Sequence, residues 1–243
     1  MRIKAVVAYD GSAFRGFQRQ SYTEETVTGA IEKALGTIGV DVRIVGSGRT
    51  DAGVHASGQI VHFDLPKHWG ADRIVQLREH LNKKLKKIYF KHICIANDNF
   101  HARFDAKVRI YRYVYKSRAM PSVFESNYIS ALRVGDEKLL RKALDEFVGT
   151  HDFKYFRKTG SDTKDTVRTI YKAFNIERGG YGYIYFHADG YLRSQVRLMV
   201  EAASALSTGR IGIEELRSQL QKKERFITKP ADPSGLYLAR VLY

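Results

Sequence analysis

The sequence predicts an α+β protein in which a largely antiparallel sheet is flanked by helices. Strand-like segments outnumber helical ones, and the two kinds alternate irregularly along the chain. No glycine-rich nucleotide-binding fingerprint follows a predicted strand, which argues against a doubly wound parallel sheet. No long linker rich in proline, glycine or serine divides the chain.

Eight segments have the apolar alternation or β-branched composition that is typical of strands. They are Ile3 to Tyr9, Val42 to Ser47, Gln59 to Leu65, Tyr89 to Ala96, Val108 to Lys116, Thr169 to Glu177, Tyr183 to Ala188 and Tyr237 to Leu242.

Four segments repeat apolar residues at helical spacing, and they cover residues 27–38, 74–85, 139–148 and about 192–206. Thr23 is predicted as the N-cap of the first helix, with Glu24 and Glu25 in its first turn. Gly149 is predicted as the C′ glycine that ends the third helix.

The composition is that of a globular protein with a strong positive charge. Of 243 residues, 44% are hydrophobic and 28% are charged. Lys and Arg number 41 against 26 Asp and Glu, which gives a net charge of +15. This surplus favours a polyanionic partner, with nucleic acid as the leading candidate, although charge alone does not separate this from a basic protein without such a partner.

Cysteine usage and hydropathy predict a cytoplasmic protein. Cys94 is the only cysteine, so a disulfide within the chain is impossible, and its apolar surroundings indicate a buried, inert thiol. The N-terminal apolar run is too short for a signal peptide, and no stretch approaches the ~18 apolar residues of a membrane span.

One polar loop lies between two predicted strands and reads Gly-Arg-Thr-Asp-Ala-Gly-Val-His-Ala-Ser from Gly48 to Ser57. It places the carboxylate of Asp51 between two glycines and close to Arg49, an arginine able to keep that carboxylate ionised. A surface turn with a local ion pair is the alternative interpretation.

A basic and tyrosine-rich stretch runs from Arg103 to Arg118. If 108–116 forms a strand, Arg109, Tyr111, Tyr113 and Tyr115 share one face. That face either meets RNA bases or fills a cleft wall or second core, and the residues alone leave both possibilities open.

The chain resembles the tRNA pseudouridine synthase A family from about residue 3 to its C-terminus. The Asp51 loop carries the family's Gly-Arg-Thr-Asp-Ala-Gly-Val-His-Ala intact at 48–56. Five further segments agree in order and rough spacing, namely 9–20, 100–106, 109–113, 149–153 and 235–238. The chain departs from the family at Phe17, where Trp is usual, and at Glu201, where Gly is common.

The resemblance implies a pseudouridine synthase fold of two α/β lobes, 1–105 and 106–243, with a positively charged cleft between them. It also implies a homodimer that isomerises uridine at positions 38, 39 and 40 in the anticodon stem-loop of tRNA, with no cofactor or metal. The implied catalytic residues are Asp51 and Arg197, and the implied substrate-binding residues are Tyr111, Arg49, Leu236, Leu238 and Arg193. Arg193 and Arg197 are predicted to share one face of the fourth helix.

Two other function classes fit part of the sequence. A noncatalytic RNA-binding protein explains the charge and the tyrosines but gives no reason for the Asp51 loop. A phosphotransferase of the aspartyl-phosphate type would use Asp10 after the first strand, but Ser12 stands where such enzymes usually carry a second Asp.

Overall fold

The computed structural model describes residues 1–66, 69–117, 119–160 and 165–243. Contacts divide the chain into a first unit, Met1–Lys107 with Tyr237–Tyr243, and a second unit, Val108–Leu236. The last strand therefore packs with the first unit, although it is far from that unit in sequence. The functional lobes 1–105 and 106–243 stay a prediction.

The described residues form ten strands and five α-helices. The strands are β1 (Arg2–Tyr9), β2 (Val45–Gly46), β3 (His55–Asp64), β4 (Ile88–Ile95), β5 (Val108–Lys116), β6 (Ser130–Ala131), β7 (Gly149–Asp152), β8 (Val167–Arg178), β9 (Tyr181–Ala188) and β10 (Leu236–Leu242). The helices are α1 (Val27–Gly36), α2 (Ile74–Lys84), α3 (Glu137–Glu146), α4 (Gln195–Ser207) and α5 (Ile213–Leu220).

The sheet of the first unit has the order β4-β1-β3-β10, and β2 pairs with β3. β1 is antiparallel to both of its neighbours, whereas β10 runs parallel to β3, with Tyr237 opposite His55. Alternate residues of β1 are buried, as expected for a strand with one face in a core. α2 packs against β4 and α1.

The sheet of the second unit has the order β5-β9-β8-β7, with all three pairs antiparallel, and β6 pairs with β5. α3 packs against α4 and β8, and α5 packs against α3 and α4. In both units the sheet is mostly antiparallel and carries helices, so the predicted α+β class is confirmed.

β5 has the predicted bounds, and its tyrosines lie on a buried face. Tyr113 and Tyr115 are at most 1% exposed and pack in a core, whereas Tyr111 keeps 7% of its surface exposed. Arg118, at the end of the predicted basic stretch, lies outside the described residues.

Four local predictions were wrong in detail, two of them near the N-terminus. Thr26, not Thr23, caps α1 by accepting a hydrogen bond from Gly29 N at 3.2 Å, and α1 begins after Glu24 and Glu25. Within the predicted strand 42–47, only the two residues of β2 form a strand. The residue before β2, Ile44, donates its N–H to the Glu32 carboxylate at 3.1 Å instead of to a neighbouring strand.

The other two corrections concern helix ends. α3 has its C-cap at Phe147, so Gly149 is not its C′ residue but begins β7 with φ of 114°. α4 begins at Gln195 because Ser194 has a left-handed backbone, with φ of 58°, that a continuous helix excludes. The sequence interpretation also missed β6, β7 and α5.

Candidate active site

Asp51 lies in the loop that joins β2 to β3, and it is half-buried. Its carbonyl accepts a hydrogen bond from Val54 N at 3.2 Å, which closes a turn directly before β3. Gly53 within this turn has φ of 79°, a left-handed conformation that is costly for residues with a Cβ. The turn therefore joins Asp51 directly to the buried strand β3.

The N-terminal motif, residues 9–20, holds the residue before Asp51 in place. The buried hydroxyls of Thr50 and Tyr9 are hydrogen-bonded at 2.8 Å, and Phe17 N donates to the Thr50 carbonyl at 3.1 Å. Gly16 has φ of 113°, and a Cβ there would lie 3.2 Å from the same carbonyl. Burial raises the pKa of the Tyr9 hydroxyl, which therefore stays protonated and neutral at physiological pH.

Gln59 fixes the other end of the loop from within β3. Its side chain is fully buried, accepts a hydrogen bond from Ser47 Oγ at 2.6 Å and donates to the Gly48 carbonyl at 2.7 Å. Both hydrogen-bonding functions of the amide are thus used within the loop, which satisfies a polar group that would otherwise be costly to bury.

His55 and Asp10 are structural groups next to this loop. His55 is 1% exposed, its Nδ1 accepts a hydrogen bond from Gly11 N at 3.0 Å, and its ring stacks on Tyr237 at 4.7 Å. The Asp10 carboxylate caps a short turn through Ser12 N at 3.1 Å and binds Lys87 Nζ at 2.9 Å. Asp10 therefore has a structural role in capping this turn.

Two other predicted site residues belong to the first unit. Arg49 is exposed two positions before Asp51 and forms no ion pair within the described part of the chain. Leu238 is fully buried in β10, opposite Ala56 of β3. Leu238 is therefore a core residue of the first unit.

Tyr111 lies on β5 of the second unit and is 7% exposed. Its ring meets the ring of Tyr191 edge to face at 5.1 Å. The Tyr191 hydroxyl donates to the Arg109 carbonyl at 3.4 Å, and burial raises the pKa of this hydroxyl well above its ordinary value. Tyr191 thereby fixes the position of the Tyr111 ring.

Arg197 lies in the first turn of α4 and is half-buried. Its Nε donates to the Ala231 carbonyl at 2.6 Å, and Ala231 N donates back to the Arg197 carbonyl at 3.1 Å. This reciprocal pair joins α4 to the segment before β10. One edge of the guanidinium is used in this way, and its remaining N–H groups are oriented by it.

Arg193 does not share a helical face with Arg197, contrary to the prediction, because it precedes α4. It is exposed, and its Nη1 donates to the carbonyls of Thr159 and Gly160 at 3.2 and 3.5 Å. The left-handed Ser194 between Arg193 and the helix changes the chain direction at this point.

Leu236 is 5% exposed at the start of β10. The residue before it, Gly235, packs so closely that a Cβ there would lie 2.6 Å from the Val114 carbonyl and 2.9 Å from the Tyr113 ring. This close approach explains a glycine at that position of the motif.

The predicted site residues are divided between the two units. Asp51, Arg49 and Leu238 belong to the first unit, where Asp51 and Arg49 share one loop, and Tyr111, Arg197, Arg193 and Leu236 belong to the second unit. Sequence reasoning missed the residues that hold these residues in place. The missed residues are Tyr9, Thr50, Gln59 and Tyr191. For Tyr9 and Gln59 the available signal was a polar residue at the end of a predicted strand.

Across the described residues there is no group of three or more His, Cys, Asp or Glu side chains placed to hold a metal ion. Nor does any described helix combine the length and apolar character needed to cross a membrane.

Comparisons with known proteins identify the family of the chain. A family model described as tRNA pseudouridine synthase matches residues 5–105 and 143–243. A tRNA pseudouridine synthase A from Helicobacter hepaticus is 40% identical over 244 residues, covering 99% of this chain and 98% of the relative.

Two further relatives carry the same name. The protein from Wolinella succinogenes is 37% identical, covering 98% of this chain and 93% of its own length. The protein from Helicobacter pylori is 37% identical, covering 99% and 98%. On these matches, this chain belongs to the tRNA pseudouridine synthase family.

Proposed function

We propose that this protein isomerises uridine to pseudouridine in tRNA, at positions 38, 39 and 40 of the anticodon stem-loop. The Asp51 loop is the observation that carries the proposal. It combines a half-buried carboxylate with hydrogen bonds that hold the loop on both sides of it, in a segment that matches the family model. A carboxylate held in this way is pre-organised for reaction.

The reaction exchanges one glycosidic bond for another and moves one proton. The N1–C1′ bond breaks, the freed uracil turns, and a C5–C1′ bond forms. C5 then loses its proton and N1 gains one, so substrate and product are isomers. No electrons are exchanged with an external donor, which agrees with the single-carboxylate chemistry of the loop.

Asp51 acts in one of two ways in this scheme, as a nucleophile at the sugar or base, or as the base that removes a sugar proton. The two routes differ at the ribose C2′–H bond, which breaks only in the second. A substrate deuterated at C2′ should therefore react more slowly only if Asp51 is the base.

The other predicted site residues have supporting roles in the proposal. Arg197 acts with Asp51 as the active-site arginine, oriented by its bond to Ala231. Tyr111 stacks on the target uracil, with Leu236 as the apolar group for the same base, whereas Leu238 is fully buried in the core. Arg49 and Arg193 bind the RNA backbone, for which exposed guanidinium groups are suited.

Extrusion of the target base costs a few kcal/mol, and stacking in a shaped site offsets this cost. The net charge of +15 provides the general attraction to tRNA. We further propose that the enzyme acts in the cytoplasm as a homodimer, as the family resemblance implies, and light scattering at several concentrations tests the dimer.

The test compares wild type with Asp51→Asn and Asp51→Ala on unmodified tRNA with uridines at positions 38 to 40. Asp41→Asn is the matched control, because Asp41 is an exposed carboxylate ten residues away in the same unit. We expect pseudouridine from wild type and Asp41→Asn only, with tRNA affinity within a few fold for all variants. The same tRNA with cytidines at the three positions should give no product.

The alternative function is a noncatalytic RNA-binding protein, favoured by the positive charge. It requires that wild type bind tRNA without forming pseudouridine at any uridine. A fully active Asp51→Asn would retain the enzyme but remove Asp51 from the mechanism.

A further inference from the structure

The second unit contains a depression of about 250 Å³ whose walls carry mainly positive charge. Leu198 and Ile227 are buried at its floor, and the ring of Tyr155 forms one side. Its cations are Arg157, Lys158, Arg193 and Arg225. No carboxylate side chain lines it among the described residues.

Backbone carbonyls orient these cations. Arg193 donates through Nη1 to Thr159 and Gly160, which leaves the other N–H groups of its guanidinium for a ligand. The Arg225 guanidinium lies 4.6 Å from the centre of the Tyr155 ring, and its Nη2 lies 3.4 Å from the Lys154 carbonyl. Lys158 N donates to the Arg193 carbonyl at 3.1 Å, which joins two walls of the depression.

Other arginines of the same unit are neutralised by carboxylates. Arg217 binds Glu146 at 2.6 Å, Arg210 binds Glu201 at 2.7 Å, and Arg141 binds Glu137 at 3.3 Å. Within the described parts of the chain, Lys158, Arg193 and Arg225 have no such ion pair. The charges of Arg193 and Arg225 are therefore oriented, and none of the three charges is compensated by an ion pair, which favours binding of an anion.

We propose that this depression, defined by Lys158, Arg193 and Arg225, binds a backbone phosphate of the tRNA substrate. Guanidinium groups match phosphate oxygens with paired N–H donors, and an ammonium adds a point charge. The apolar floor and the Tyr155 ring suit the ribose or base attached to that phosphate. The inference rests on the proposed function, since it names where this unit holds the same RNA.

The test measures tRNA affinity as a function of salt for Lys158→Gln and Arg225→Gln. Each phosphate contact contributes about 0.7–0.9 to the slope of log affinity against log salt. Loss of one contact should reduce the slope by that amount and weaken binding roughly sixfold at about 0.1 M salt. Both side chains are exposed, so folding should be unaffected, and an unchanged melting temperature checks this.

Arg141→Gln is the matched control, because it removes an exposed but ion-paired arginine of the same unit. It should bind with the wild-type slope. The Lys158 and Arg225 variants should raise KM while leaving kcat at saturating tRNA unchanged, since they act in binding.

Slopes of both variants equal to that of wild type would overturn the phosphate site. A second result would also overturn it. If the two substitutions weakened the binding of uridine monophosphate but left the salt slope for tRNA unchanged, the site would serve a free nucleotide. Absence of pseudouridine from wild type would refute the proposed function instead, and the slopes would still report on the RNA contact.

Discussion

Tyr9→Phe is the substitution that most directly tests how the fold places Asp51. It removes one hydroxyl from a ring that is 4% exposed and leaves Thr50 Oγ1 without its 2.8 Å partner. The ring keeps its packing, including its tilted contact with Phe17 at 6.1 Å. The change is therefore confined to the hydrogen bond that anchors the residue before Asp51.

The expected cost follows from the burial of both hydroxyls. A buried hydrogen-bonding group that loses its partner costs about 1–3 kcal/mol, and the lower half of this range suits two hydroxyls that reorient freely. For a chain of this size, about 1–2 kcal/mol lowers the melting temperature by roughly 3–6 °C. If about 1 kcal/mol of it is loss of loop placement, kcat falls about fivefold.

The assay combines thermal unfolding with steady-state pseudouridine formation. KM should stay at the wild-type value, because the buried Tyr9 hydroxyl does not contact RNA. Tyr181→Phe is the control, since it removes a tyrosine hydroxyl that donates to Glu125 in the second unit. It should lower stability and leave kcat unchanged.

An unchanged kcat in Tyr9→Phe, together with a lower melting temperature, would refute the reasoning. It would mean that the Gln59 and Gly16 contacts hold the loop without the Thr50 anchor. A rise in KM alone would also contradict it, since the hydroxyl would then act on RNA binding.

Three further outcomes are expected. The hydrogen bond from Arg217 lowers the pKa of Glu146 below its ordinary value of 4.5. The pair therefore stabilises the fold fully above about pH 4.5, and this stabilisation is lost as the pH falls through the lower pKa of the folded state. In urea titrations, Arg217→Gln should therefore be less stable than wild type at pH 7 and should approach it in strong acid, and a constant difference would exclude the linkage. Thr26→Ala should cost about 1 kcal/mol as loss of an N-cap, and Thr23→Ala should cost less than half of that in the same denaturation assay. Wild-type affinity for tRNA should fall with a log–log salt slope of about −3 or steeper, and a flat response would exclude binding through several phosphates.

Local patterns predicted most of the strands and helices because many of them have one buried face, as β1 and α3 do. β5 is the clearest case, with the predicted bounds Val108–Lys116 and tyrosines that alternate into the core. The fold class followed from the same patterns. Short pairings such as β6 and β7 were missed, because two to four residues carry too little alternation to be recognised.

The errors at element ends have a common physical cause. Thr23 and Thr26 are equally good cap residues by type, and the choice depends on which hydroxyl meets a helix N–H. The left-handed Ser194 likewise depends on Gln195, whose side-chain oxygen accepts from Leu192 N at 2.8 Å. Periodicity contains no information about either contact, so it extended the helix through Arg193.

The N-terminal motif changes how the Asp51 loop should be interpreted. Tyr9 binds Thr50, Gly16 leaves room for the Thr50 carbonyl, and a Cβ on Gly11 would lie 2.0 Å from the Val54 carbonyl. These residues are about forty positions from Asp51 in sequence, and each contacts its loop from the protein side. The agreement of residues 9–20 with the family sequence is thus explained by their contacts with the Asp51 loop. It does not require that these residues contact RNA. A substitution in the N-terminal motif should alter kcat, because it moves Asp51. A substitution at Arg225 should instead alter the binding of tRNA. The contrast separates residues that position the catalytic carboxylate from residues that bind the substrate.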